Sequence, residues 1–288
     1  MSAPAIAVVG AGGATGAAVV RALARRGDVA VRGVVRRAEA EQAAREAGAA
    51  TVARADLADA DALEAALDGA DAVYVVPPVF HPQEDALVAG AVAAARRAGV
   101  GRFVAHSVLH PFTPAMRHHG RKARWELAVR EAPLRWTILQ PAMYAQTVLR
   151  SFRRSPSADA FLAPYSLDAR FDVVDLDDVA EVAARVLVEP GHDAATYELA
   201  GPQRHALREL VDAIGRALGR PLGARVAAPG EVPVPAGFSR SQTADLHAMY
   251  AHYDAHGLTG NANVLRWLLG REPTSFEEVA RRELAAAG

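Results

Sequence analysis

The sequence predicts an α/β protein: a doubly wound parallel sheet with a smaller C-terminal α/β lobe. Three observations predict it. Short apolar runs alternate with helical patterns as far as Pro141, the first run breaks into glycines before its helix, and no repeat or low-complexity linker splits the chain.

The runs at 5–9, 30–35, 50–53, 72–76, 102–107 and 135–139 read as strands, and 14–26, 38–47, 60–67, 82–98 and 117–131 read as helices. Gly27, Gly48, Gly69 and Gly99 each follow a helical pattern where a left-handed cap is expected, and Pro82 stands where a helix begins. After Pro141 the rhythm becomes irregular. Residues 172–188 read as a short strand and a helix capped by Asp177 and Asp178, and 196–199 as a last strand. Residues 206–218 and 274–285 read as helices, with the Pro-rich stretch 227–238 between them. The expected organisation is a nucleotide-binding domain over 1–150 and a smaller substrate or partner lobe over 151–288, interleaved with it. That lobe is expected over the strand C-termini, where open α/β sheets bind ligands.

Composition bounds the class. With 288 residues, 51% of them hydrophobic, the chain can form a large core, and its formal net charge is −1. A near-neutral balance gives no reason to expect nucleic acid or an anionic membrane as partner. The absence of cysteine excludes a disulfide framework, a thiolate nucleophile and a cysteine zinc site. No basic stretch precedes the first apolar run, so no signal peptide is read there, and the longest apolar run, 86–95, is too short for a bilayer. A soluble cytoplasmic protein is expected.

Residues 6–16, Ile-Ala-Val-Val-Gly-Ala-Gly-Gly-Ala-Thr-Gly, space Gly10, Gly13 and Gly16 as GxxGxxG. Read as GxGxxG, Gly10 and Gly12 fit, and Thr15 fills the last glycine slot. The first glycine permits the tight turn, the middle ones let backbone approach a pyrophosphate, and the last lets helix and strand pack closely. The N–H groups of the first helical turn, at Ala14, Thr15 and Gly16, supply the anion site. This is a Rossmann-type dinucleotide fingerprint; a glycine turn that binds nothing is the alternative.

The second strand ends Gly33-Val34-Val35-Arg36-Arg37, with no carboxylate before Glu39. An acidic residue there bonds a ribose 2′-hydroxyl, whereas arginine accommodates a 2′-phosphate. Arg36 and Arg37 therefore favour NADP(H) over NAD(H), unless they only decorate a solvated helix start. Asp56, beside Leu57, can bond an adenine amino group or cap the helix near Ala60. Val76 and Pro77 are expected by the nicotinamide. Phe80, Met143 and Tyr144, with Gln146 nearby, can line a substrate pocket or simply pack.

Ser107 ends the fifth strand, and His118-His119-Gly120-Arg121-Lys122 follows. On a helix, His118 and Lys122 share a face and His119 turns away, which makes His119 an expected surface residue. Gly10–Gly16, Asp56-Leu57, Ser107 and Lys122 together resemble the atypical short-chain dehydrogenase/reductase superfamily. Residues 118–122, 136–142 (Trp-Thr-Ile-Leu-Gln-Pro-Ala), 175–180, 197–202 and 268–273 are most similar to its NmrA-like branch. The likeness covers nearly the whole chain and is densest up to Pro202.

That resemblance implies a catalytic Ser, Tyr and Lys, the last two spaced YxxxK, which deliver a proton as nicotinamide delivers hydride. Here the Ser position is Ser107, the Lys position Lys122 and the Tyr position His118. A free tyrosine titrates near about 10 and must be depressed, whereas histidine titrates near about 6.5 and a neighbouring ammonium pushes it towards neutral imidazole. His118 is thus expected to relay a proton or bond a substrate oxygen, without being a direct replacement. Contact with the ribose hydroxyls is the equal alternative for Lys122, and capping its strand is the alternative for Ser107. The branch holds both reductases and NADP(H)-binding sensors without turnover. The expected function is an NADP(H)-dependent oxidoreductase of a small quinone or carbonyl compound; the alternative is a non-catalytic NADP(H)-binding regulator that docks a protein partner. A sugar-nucleotide-modifying enzyme fits less well, since that group usually keeps the tyrosine. His106, His110, His118 and His119 lack metal-ligand spacing, so no metal is expected, and no GxSxG elbow supports a serine hydrolase.

Overall fold

A computed structural model describes residues 3–155, 160–228 and 230–285. The first part alternates β1 (Ala5–Val9), α1 (Ala14–Arg26), β2 (Ala30–Val35), a 3₁₀ turn (Ala38–Ala40), α2 (Glu41–Glu46), β3 (Thr51–Arg54) and α3 (Ala60–Leu67). It continues through β4 (Ala72–Val75), α4 (Glu84–Arg97), β5 (Arg102–His106), α5 (Arg117–Glu131) and β6 (Arg135–Pro141). There follow α6 (Ala145–Arg153), β7 (Ala160–Ala163), β8 (Arg170–Phe171), α7 (Leu176–Val188), β9 (Ala195–Leu199) and β10 (His205–Ala206). The last elements are α8 (Leu207–Ala217), β11 (Gly223–Val226), α9 (Arg240–His256), α10 (Asn263–Leu269) and α11 (Phe276–Ala285).

Among the described residues seven strands form the main sheet, in the order β3-β2-β1-β4-β5-β6-β9. All pairings among β1 to β6 are parallel. The order reverses between β1 and β4, so the chain leaves their C-terminal ends in opposite directions; such switch points open the ligand crevice of doubly wound sheets. β4 and β5 are buried along their whole length, as parallel strands covered on both faces must be. On one face Val73, Val75, Phe103, Ala105 and Ile138 share a core with Leu63, Leu67, Val88, Ala91, Trp125 and Val129. On β1 and β2 lies α1, with α2 also against β2.

Two compact units divide the chain. The first comprises Met1–Phe112, His118–Gln140 and Val179–Tyr197; the second comprises Thr113–Arg117, Pro141–Asp178 and Glu198–Gly288. In the second, β7 pairs with β11 in parallel, β8 pairs with β10 antiparallel, and α11 packs against α8 and α6. Buried carboxylates tie it together: Asp172 accepts from Arg204 and from the Gly260 N–H, and Asp175 accepts from Arg282 and Gln146. Tyr165, Phe171, Tyr250 and Tyr253 form an aromatic cluster beside them. Among the described residues no helix is long and apolar enough to cross a membrane.

Several boundaries depart from the sequence reading for local reasons. Residues 38–40 close as a 3₁₀ turn, with the Ala40 N–H on the Arg37 carbonyl, before α2 begins. Pro82 lies in a turn, and α4 starts at Glu84. α11 starts at Phe276 because Ser275 and Glu278 satisfy each other's backbone N–H groups just before it. Asp178 is no helix cap: it is 1% exposed and accepts from Arg271 and from both donors of Thr274. The α7 entrance is satisfied by Asp175, whose Oδ1 accepts from the Asp177 N–H.

Candidate functional site

The turn between β1 and α1 is walled by backbone. Gly10 has φ +89°, and a Cβ on it would lie 3.1 Å from the Val76 carbonyl oxygen. A Cβ on Gly16 would lie 2.2 Å from the Gly10 carbonyl oxygen, so only glycine lets α1 close on the turn. A Cβ on Gly12 would lie 2.6 Å from that of Ala40, which sets the turn against the segment following β2. Gly13 is different. Its nearest neighbour would be 3.4 Å away, and as N-cap it leaves α1 with neither a side-chain cap nor an acidic first turn.

The N–H groups of Gly10 and Ala11 donate to the Val34 carbonyl oxygen on β2, and that of Gly13 donates to the Gly10 carbonyl oxygen. Those of the first helical turn, from Ala14 to Gly16, remain for a ligand. Gly12, Gly13 and Ala14 are exposed and Thr15 is half-buried. A bare, uncapped helix start behind a glycine-walled turn fits a dinucleotide pyrophosphate.

Around this turn, Arg36 and Arg37 are exposed, and neither forms an ion pair among the described residues. Arg54, at the end of β3, pairs with Glu41 at 3.1 Å. Asp56 is exposed, and its Oδ1 accepts from the Ala58 N–H; the cap of α3 is Asp59, which accepts from Ala62. Asp56 stands too early to cap α3, so the capping alternative for it is corrected. Leu57 packs against the core, Val76 touches the Gly10 turn, and Pro77 is buried.

Ser107 follows β5 and is 4% exposed. Its hydroxyl donates to Glu126 Oε1, and Glu126 also accepts from Gln140 Nε2 on both oxygens (2.9 Å each) and from Arg130 at 3.2 Å. The serine proton is thus committed to a buried carboxylate, which leaves the Oγ lone pairs for a partner.

At the start of α5, His118 packs its ring on Phe80 at 4.5 Å between centroids. Its Nδ1 has no hydrogen-bond partner among the described residues. Burial, then the charges of His119, Lys122 and Arg121, lower its pKa to about 2, so it is a neutral imidazole at working pH. Lys122 Nζ lies 2.5 Å from Oε1 of Glu84, which is wholly buried, and Trp125 Nε1 donates to the same oxygen at 3.1 Å. The ammonium also sits over the Trp125 ring, 5.6 Å from its centroid. His106 Nδ1 lies 2.5 Å from the Tyr74 hydroxyl, and burial followed by the Lys122 charge lowers its pKa to about 3.

His119 is not a surface residue. It is 0% exposed, and its Nδ1 lies 3.0 Å from the carbonyl oxygen of His110, where the loop after β5 doubles back with φ +55°. Of the expected pocket residues, Phe80 (φ +60°) belongs to the first unit, and Met143 and Tyr144 to the second. Met143 and Tyr144 adjoin Val174 through backbone contacts, and the Gln146 amide is taken up by Asp175 and the Leu176 N–H. Among the described residues no group of three or more His, Cys, Asp or Glu is arranged to hold a metal.

Sequence reasoning missed Glu84 and Glu126. Glu84 reads as an ordinary first-turn acid on a helix, and Glu126 as a mid-helix acid. One signal was available: of the 32 lysines and arginines in the chain, Lys122 is the sole lysine.

The sequence matches the profile of the NmrA-like family over residues 2–281. It is 29% identical over 292 residues to an NAD(P)H azoreductase of Xenophilus azovorans, covering 98% of this chain and 99% of that one. It is 35% identical over 219 residues to the (4-alkanoyl-5-oxo-2,5-dihydrofuran-3-yl)methyl phosphate reductase of Streptomyces griseus, covering 75% of each chain. An Escherichia coli NADPH-dependent quinone oxidoreductase solved with NADPH superposes with a TM-score of 0.82 at 24% identity, covering 97% of this chain and 99% of that one. At that identity the likeness shows the fold alone.

Proposed function

The chain belongs to the NmrA-like family, and we propose that it is an NADP(H)-dependent oxidoreductase that reduces a small quinone or carbonyl compound. The observation that carries this reading is the bare start of α1 behind the Gly10 turn, together with the exposed Arg36 and Arg37 after β2, which form no ion pair among the described residues. Relatives named as an NAD(P)H azoreductase and a (4-alkanoyl-5-oxo-2,5-dihydrofuran-3-yl)methyl phosphate reductase support the reaction class.

In this reading the first-turn N–H groups of α1 hold the pyrophosphate and Arg36, with Arg37, holds the 2′-phosphate. Asp56 and Leu57 border the adenine; Val76, Pro77 and Lys122 face the nicotinamide end. When bound, the cofactor supplies a hydride. The residues of the chain then orient the acceptor and manage the proton that accompanies it. His118 is neutral, so it bonds a substrate oxygen and carries no proton charge of its own to give. Lys122 supplies the positive charge near that oxygen, and its ammonium gives the proton the reduced acceptor takes up, regained from solvent. Ser107, its own proton engaged by Glu126, accepts a hydrogen bond and does not donate one. Phe80, packed on His118, borders the acceptor in the same reading.

The experiment is a titration of NADPH and NADH into wild type and Arg36→Ala/Arg37→Ala, with turnover of a quinone and aldehyde panel alongside. The double variant is expected to lose about tenfold or more in NADPH affinity and little for NADH, as befits lost charge-assisted contacts to one phosphate. Equal NADPH affinity in a folded double variant contradicts the 2′-phosphate assignment.

A second reading is favoured by one observation: the position of the reductase tyrosine is a neutral histidine packed under Phe80. It is a non-catalytic NADP(H)-binding regulator that docks a protein partner. It predicts no turnover and a difference between NADPH and NADP⁺ in affinity or partner binding, because a ligand shifts an equilibrium only through differential affinity.

A further inference from the structure

We infer that Glu84 is a positioning residue, whose buried carboxylate fixes the Lys122 ammonium at the site where cofactor and substrate meet. The inference rests on the proposed reductase reading and adds to it a residue that no motif pointed to.

Two segments are fastened twice. Phe80 and Glu84 come from the stretch after β4; His118 and Lys122 come from successive turns of α5. Phe80 meets His118, and four residues on, Glu84 meets Lys122 at 2.5 Å. Trp125, one further turn along α5, donates to the same Glu84 oxygen and lies beneath the ammonium. Nζ is therefore held from two sides. Glu84 is 0% exposed and its Oε2 has no partner among the described residues.

A purely structural pair would not look like this. Buried ion pairs are weak stabilisers, and well-packed apolar residues serve the interior as well or better. Where a chain needs a cation only to pair with a carboxylate, the guanidinium fork suits it by engaging both oxygens, whereas here Glu84 Oε2 has no partner among the described residues. This chain places arginine at every other basic position, yet keeps its single lysine here. What lysine offers and arginine does not is a compact ammonium able to exchange its proton. Glu84 holds that group in a defined place.

The single lysine also supplies the test. Labelling with ¹⁵N-lysine puts one side-chain ammonium in the NMR spectrum of the intact protein. In the cofactor-free wild type we expect one signal protected from solvent exchange. In Glu84→Gln, folded by circular dichroism, it shifts or broadens away; in Glu84→Asp, which keeps the charge, it returns in part. Glu84→Gln is expected to lower kcat about tenfold or more, the size of a mispositioned acid–base group. In a Lys122→Met background the same substitution causes no further loss in kcat or NADPH affinity, as required of a residue acting through the lysine. An unmoved lysine signal in folded Glu84→Gln, or losses that add in the double variant, overturns the inference. If Glu84→Gln does not fold, an unmoved signal in Glu84→Asp overturns it equally. If the wild type turns over nothing, the reductase reading fails on its own, while the lysine spectrum and NADPH affinities still decide the role of Glu84.

Discussion

Burial makes the histidines near β5 and α5 respond to acid. The unfolded chain protonates His118 and His106 near about 6.5, whereas their folded values are lowered to about 2 and about 3. The unfolded state thus binds more protons through this window, and stability is intact above about pH 6.5 and lost as pH falls below it. At pH 5 each histidine costs about 2 kcal/mol relative to pH 7.5. Urea unfolding at both pH values checks this: His118→Gln should flatten the slope, and an unchanged slope would show that His118 is not neutral. The Lys122–Glu84 pair makes a second prediction at this scale. Lys122→Met leaves a buried carboxylate uncompensated and should cost about 3–5 kcal/mol, much of it recovered by adding Glu84→Gln. Unfolding midpoints of the two variants read it directly.

At the scale of elements, the β1–α1 turn separates folding from binding. Gly16→Ala puts a Cβ against the Gly10 carbonyl and should undock α1, lowering the melting temperature sharply. Gly13→Ala has room, at 3.4 Å, and a backbone φ of −92° that alanine accepts. It should leave the melting temperature nearly unchanged while weakening NADPH, because a methyl then stands where the pyrophosphate approaches the backbone. Equal effects on both properties in both variants would contradict this division.

The same elements show what was legible. β1, β4 and β5 are short apolar runs because both faces are covered, and a run of that kind is visible without any contact. α9 was invisible for the opposite reason. Its 17 residues bury only Asp245, Leu246 and Tyr253, so it carries no apolar stripe, although Ser239 and Gln242 do spell a capping box. β8 and β10 are two residues each, too short to alternate.

Over the whole molecule, local motifs were readable and long-range pairs were not. Gly10 to Gly16 and Arg36-Arg37 are contiguous, and their expected chemistry follows from spacing alone. Glu84 and Lys122 are 38 positions apart, and only the parallel sheet carrying α4 and α5 brings them together. Ser107 and Glu126, 19 apart, are the same case. The sheet in turn depends on one continuous core: Leu67, fully buried in α3, is expected to cost about 2–5 kcal/mol when truncated to alanine, measured by denaturant midpoint.

The central claim is that this assembly reduces a small acceptor at the expense of NADPH. The most direct measurement follows the loss of reduced-nicotinamide absorbance with wild type and Lys122→Met against a panel of quinones and aldehydes. The account predicts turnover with NADPH that collapses in the variant while NADPH still binds. Turnover undiminished in Lys122→Met, or none from wild type that binds NADPH tightly, would contradict it.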